Sequence, residues 1–143
     1  MTGRFGGRRR FGGSDMAAKI LVCDDEPHIV HVVAAKLRGA GFEVLTAADG
    51  QEGLELAREA HPDLIFTDYQ MPSLSGLELC ARLRADPATR DIPAVMLSAR
   101  GFSIVDEDLT HTNIRKVLPK PFSPREVLAI ARELLEGAAA GAR

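Results

Sequence analysis

The stretch Pro62 to Gly76, PDLIFTDYQMPSLSG, decides how the chain folds. Leu64-Ile65-Phe66 is a short unbroken apolar run with the length and make-up of a strand buried on both faces, and the acid Asp68 stands just past its end. In open parallel sheets, ligands sit beyond the carboxyl ends of the strands, so a carboxylate delivered there occupies an active-site address. The plainer alternative is an aspartate that only opens a turn before Pro72. What the other strands deliver to the same edge decides between the two.

Toward the N-terminus, Ile20-Leu21-Val22-Cys23 reads as another buried strand and ends in three acids, Asp24-Asp25-Glu26, with Pro27 suited to the first position of a helix. That helix carries Ile29, Val30, Val33, Ala34 and Leu37 at helical spacing, and Gly39 and Gly41 stop it. Val44-Leu45, within Phe42 to Ala47, forms a second strand. Asp49 and Glu52 then have capping-box spacing ahead of a helix to about Ala60. Beyond Asp68, Ser75 and Glu78 repeat that spacing before a helix with Leu77, Cys80 and Leu83. Pro87 and Pro93 bracket the connection to a fourth strand, Ala94 to Leu97, which ends in Ser98-Ala99. The segment from Arg100 to Asn113 mixes Phe102, Ile104, Val105 and Leu109 with Gly101 and a polar run, a weak helical pattern. Val117-Leu118 makes a short fifth strand before Lys120-Pro121, and Ser123 with Glu126 forms a third capping box for a last helix bearing Val127, Leu128, Ala131, Leu134 and Leu135.

Strands alternating with helices predict an α/β fold: a doubly wound, five-stranded parallel sheet with helices on both faces. All carboxyl ends then share one edge, which gathers Asp24, Asp25, Asp68, Ser98 and Lys120. Carboxylates packed together repel, and a divalent cation with a nearby ammonium offsets that repulsion. Oxygen donors without Cys or His point to Mg2+ rather than zinc. A hydroxyl and a lysine beside a metal-bound carboxylate supply a nucleophile, oxygen contacts and charge neutralisation for a transferring phosphoryl group.

Composition agrees with one folded domain. The chain has 143 residues, 45% hydrophobic and 27% charged, and no apolar run approaches the ~20 residues of a membrane span. No membrane partner is expected. Cys23 and Cys80 stand far from any CxxC or Cys/His ligand spacing and read as buried thiols in a reducing compartment. With no secretory signal, the expected location is cytoplasmic. Residues 1–17 form a Gly/Arg-rich leader expected to be disordered, 18–136 the folded domain, and 137–143 a flexible tail. Phe-Gly-Gly units around Arg8-Arg9-Arg10 permit weak nucleic-acid binding by the leader, although a solvated leader, or a true start at Met16, is the simpler reading.

Three signals in order and spacing, Asp24-Asp25, Asp68 followed by Met71-Pro72 and Gly76, and Ser98-Ala99 with Lys120-Pro121, resemble the receiver domain of two-component response regulators, from about Lys19 to Leu135. The resemblance implies the flavodoxin-like strand order 2-1-3-4-5. It implies that Asp68 accepts a phosphoryl group, and that Mg2+ is held by Asp25, Asp68 and the Gln70 backbone carbonyl, with Asp24 acting through a water. Ser98, Lys120 and the Ala99 backbone N–H would contact the phosphoryl oxygens, with a cis Lys120-Pro121 bond. Gln70 and Arg100 would flank the path of the hydrolytic water and modulate the lifetime of the phosphorylated form, Arg100 by shielding it. The donor would be a histidine kinase or a histidine phosphotransfer protein. Chemistry would stop at self-catalysed phosphotransfer and autodephosphorylation, without a separate enzyme activity.

Two departures fall where output is decided. Val117 stands where the family usually has Tyr or Phe, and Asn113 to Lys116 replace the usual Gly-Ala pair. The expected output is a stand-alone, single-domain one, through a downstream protein partner or homodimer and with no DNA-binding domain. Alternatives are a receiver-like protein-binding module that works without phosphorylation, and a phosphatase of the haloacid dehalogenase type. The latter wants an aspartate at position 70, which is Gln70.

Overall fold

The computed structural model describes residues 17–98 and 111–141. Its centre is a five-stranded sheet in which β1 (Lys19–Cys23) lies between β2 (Glu43–Ala47) and β3 (Leu64–Asp68), followed outward by β4 (Ala94–Ser98) and β5 (Ile114–Pro119). Every pairing is parallel and the order is 2-1-3-4-5, as expected. Among the described residues, four helices pack on it: α1 (Pro27–Gly39), α2 (Gly50–Ala60), α3 (Gly76–Ala85) and α4 (Pro124–Gly141).

Strand side chains alternate between two cores because successive Cβ atoms point to opposite faces. Ile20, Val22, Leu64, Phe66, Val95 and Leu97 pack with Val33, Ala34 and Leu37 of α1 and Val127, Ala131 and Leu135 of α4. Leu21, Cys23, Ile65, Ala94 and Met96 face the other way, toward Leu54 and Ala57 of α2 and Leu79, Cys80 and Leu83 of α3. Both thiols lie in this second core, where burial raises their pKa and keeps them protonated.

The caps anticipated from spacing are present. Ser75 Oγ accepts from Glu78 N–H at 3.1 Å while Glu78 accepts from Ser75 N–H at 2.9 Å, and Ser123 with Glu126 makes the same reciprocal pair. Asp49 accepts from Glu52 N–H at 2.8 Å, but Glu52 reaches Ala48 N–H, one residue further back than in a closed box.

Two boundaries differ from expectation. β5 begins at Ile114, three residues before Val117, because it is an edge strand whose exposed Arg115 and partly covered Lys116 interrupt the apolar pattern. Lys116 turns out to Glu133 of α4 at 3.4 Å. α4 continues to Gly141, past the point where a tail was expected, and Ala138 to Ala140 are the strongest helix formers available. The leader up to residue 16, Ala99, Arg100 and the weak helical segment as far as residue 110 lie outside the described residues.

Candidate functional site

Register brings the acids and the lysine together. Cys23 pairs with Thr67, Asp68 with Leu97, and Ser98 with Pro119, so the residues that follow β1, β3, β4 and β5 emerge on one edge. Asp24 and Asp25 come from the first of these ends, Asp68 from the next, Ser98 from β4 and Lys120 from the residue after β5. The Lys120 N–H donates to the Ser98 carbonyl at 2.9 Å, which ties the last two ends to each other. The Lys120-Pro121 bond is cis.

One carboxylate oxygen from each of Asp24, Asp25 and Asp68 lies within 4.8 Å of the other two. Asp24 and Asp68 are buried and Asp25 is exposed. Lys120 Nζ lies 3.1 Å from Asp68 Oδ1 and 3.2 Å from Asp24 Oδ2. Asp24 Oδ1 accepts from Glu26 N–H at 2.9 Å, and Asp68 Oδ1 accepts from Tyr69 N–H at 2.9 Å. Both of these contacts use Oδ1, and among the described residues Asp68 Oδ2 meets no hydrogen-bond donor.

The charges do not balance within the protein. Burial first, then the charge of Asp24, push the Asp68 carboxyl from 3.8 up to about 6, even though Lys120 and the Tyr69 N–H pull the other way. Asp24 is also raised, by burial, against the Glu26 N–H and Lys120. For Lys120, burial acts downward, but the Asp68 and Asp24 carboxylates outweigh it and lift the ammonium above 10.5. One ammonium thus serves more than one acid and cannot hold them all ionised at no cost. A hard divalent cation fits this donor set: several oxygens converge, no Cys or His intrudes among them, and a second positive charge would relieve the strain on both buried acids.

Of the other residues singled out from the sequence, Ser98 is buried at the end of β4, and Gln70 is exposed two residues after Asp68. Val117 is partly buried against the core shared by α2 and α3, in place of an aromatic ring. One contact was missed. Glu26 Oε1 lies 3.3 Å from Lys120 Nζ, and the visible signal was a third consecutive acid at a strand end.

A response regulator receiver domain model matches residues 20–132. The chain belongs to the response regulator receiver domain family. It is 42% identical over 118 residues to the DNA-binding dual master transcriptional regulator RpaA of Synechocystis sp., a match that covers 82% of this chain and 48% of RpaA. Chemotaxis response regulator CheY4 of Vibrio cholerae superposes with a TM-score of 0.76 at 32% identity, covering 82% of this receiver and 98% of that chain. The receiver domain of a sensor histidine kinase from Pseudomonas aeruginosa superposes with a TM-score of 0.74 at 28% identity, covering 82% and 97%, and its structure has a magnesium ion coordinated in the active-site cleft.

These comparisons correct the expected partners. The chain spans about half the length of the curated relatives it matches, and those relatives include DNA-binding regulators such as RpaA and MtrA. An output without a DNA-binding domain therefore does not stand. The receiver fold and its acid edge are the same whichever output accompanies them, so nothing in those residues could have signalled the difference. Among the described residues, no helix is long and apolar enough to cross a membrane.

Proposed function

We propose that this receiver is a phosphoacceptor in a two-component phosphorelay, taking a phosphoryl group from the phosphohistidine of a histidine kinase or phosphotransfer protein onto Asp68, in the cytoplasm. The observation that carries this reading is the pairing of Asp68 with Lys120, 3.1 Å from Oδ1, inside a cluster of three carboxylates.

In the transfer, Asp68 Oδ2 forms an O–P bond as the P–N bond of phosphohistidine breaks, and the electron pair returns to the imidazole nitrogen. Asp25, Asp68 and the Gln70 backbone carbonyl would hold Mg2+, with Asp24 acting through a water. Bound there, the cation supplies charge neutralisation for nucleophile and phosphoryl group. Tyr69 N–H and Lys120 fix the carboxylate through Oδ1. Lys120, Ser98 and the Ala99 N–H would donate to the phosphoryl oxygens, while Gln70 and Arg100 would modulate attack by water. Beyond this self-catalysed transfer and hydrolysis, no separate enzyme activity is assigned.

Intact-mass measurement after treatment with a small phosphodonor tests the reading. Wild type with magnesium should gain one phosphoryl group, and Asp68→Asn or chelation should abolish the gain. A full adduct on Asp68→Asn would move the acceptor elsewhere, and no adduct on wild type would favour a module that binds without phosphorylation.

A further inference from the structure

The ammonium of Lys120 has three hydrogens and meets three carboxylates: Asp68 Oδ1 at 3.1 Å, Asp24 Oδ2 at 3.2 Å and Glu26 Oε1 at 3.3 Å. Its donor capacity is filled before any phosphoryl group arrives. Glu26 differs from the other two acids in every respect that bears on release. It lies outside the cluster formed by Asp24, Asp25 and Asp68, and its side chain is 60% exposed while that of Asp24 is fully buried. It is also the N-cap of α1 yet makes no side-chain cap bond, so the carboxylate reaches across to Lys120 instead of satisfying the helix terminus.

We infer that Glu26 is a positioning residue that tethers Lys120 in the resting receiver and gives it up when the phosphoryl group is bound. The inference rests on the phosphoacceptor reading of Asp68. Phosphorylation turns the Asp68 carboxylate into an uncharged acyl oxygen carrying a dianionic group, so the ammonium turns from Oδ1 toward the phosphoryl oxygens and cannot keep both of its other resting contacts. Withdrawing it from Asp24 would strand a buried carboxylate, which is costly, whereas water replaces Lys120 at the exposed Glu26. The third acid therefore opposes modification by an amount equal to the strength of one exposed pair.

The probe is beryllofluoride with magnesium, a mimic of the phosphoryl group, and the readout is intrinsic fluorescence. The chain has one tyrosine and no tryptophan, and Tyr69 follows Asp68 directly and donates its N–H to that carboxylate. Glu26→Gln keeps the size but loses the charge; Glu26→Asp keeps the charge but shortens the reach by one methylene. Both should bind beryllofluoride about threefold more tightly than wild type, the scale of an exposed ion pair. A gain in Glu26→Gln alone, with Glu26→Asp matching wild type, would show a general effect of negative charge and overturn the tether. Unchanged or weaker binding in both variants would overturn it as well while leaving Asp68 as acceptor. Failure of the wild type itself to bind the probe would remove the phosphoacceptor reading and the tether together.

Discussion

A methyl group on Gly76 would stand 2.1 Å from the carbonyl oxygen of Asp68 and 3.1 Å from the sulfur of Met96. The start of α3 is thus pressed against the backbone of the proposed acceptor, and the Gly76 N–H donates to the Tyr69 carbonyl at 2.8 Å to keep it there. No side chain fits, because the obstacle is backbone and not a flexible tip. Gly76→Ala should therefore displace the loop after β3 and cost about 1–3 kcal/mol, the usual range for overpacking a tight site. Urea unfolding checks the stability, and magnesium titration checks the site. An unchanged midpoint together with unchanged magnesium affinity would mean that the loop shifts freely.

The raised carboxyl of Asp68 gives the metal-free protein a pH dependence opposite to ordinary acid denaturation. Its native value of about 6 lies above the unfolded 3.8, so the native state binds more protons between the two. The stabilisation is complete below 3.8 and is lost as pH rises through 6. The shift corresponds to at most about 3 kcal/mol, since each unit is about 1.4 kcal/mol. With chelator present, Asp68→Asn should be more stable than wild type near neutrality by about 1–3 kcal/mol, and the gap should close toward about pH 4. Denaturant unfolding across that range decides it; a gap independent of pH would exclude titration of Asp68 as its source.

Asp25 is the exposed member of the carboxylate cluster and contributes little to packing. Its removal therefore isolates cation binding from folding. Magnesium at about a hundred times its dissociation constant should stabilise the wild type by roughly 2.7 kcal/mol through binding only the folded state. Asp25→Ala should lose most of that gain and, without magnesium, melt no lower than wild type, since a repelling charge has gone. Thermal unfolding with and without magnesium measures both quantities. A variant that retains the full gain would place the cation away from Asp25.

How much of this was legible in the sequence follows from what each residue depends on. Asp24, Asp68 and Lys120 could be placed because strand ends in a parallel sheet share an edge, so reading the strands also located their final residues. Ile114 was missed because a charged edge strand hides its period behind Arg115 and Lys116. Glu26 was read only as one acid in a run, since its contact with Lys120 spans 94 residues and depends on where the ammonium finishes, which no local pattern records. The output was misjudged for another reason: the acid edge of a receiver carries no trace of which output accompanies it.

Lys120 is the positive charge common to Asp24, Asp68 and Glu26, and its removal by Lys120→Met should reveal how much of the fold depends on it. Breaking a buried pair by deleting one partner costs about 3–5 kcal/mol when the other stays ionised. Here the side chain of Lys120 is 16% exposed, so water softens the loss and the lower end applies. Two consequences distinguish this from a packing defect. Without the ammonium, the Asp68 carboxyl should rise further, so the deficit should be greatest near pH 7 and shrink by at least about half near pH 4.5, where Asp68, already raised to about 6, is mostly neutral. Magnesium should also recover part of the loss, because a cation among the carboxylates supplies the missing charge. Urea unfolding of wild type and variant at the two pH values, with chelator and then with magnesium, separates the causes. A deficit that stays constant with pH and is unmoved by magnesium would mean that the methylene stem of Lys120, and not its charge, is what the fold uses.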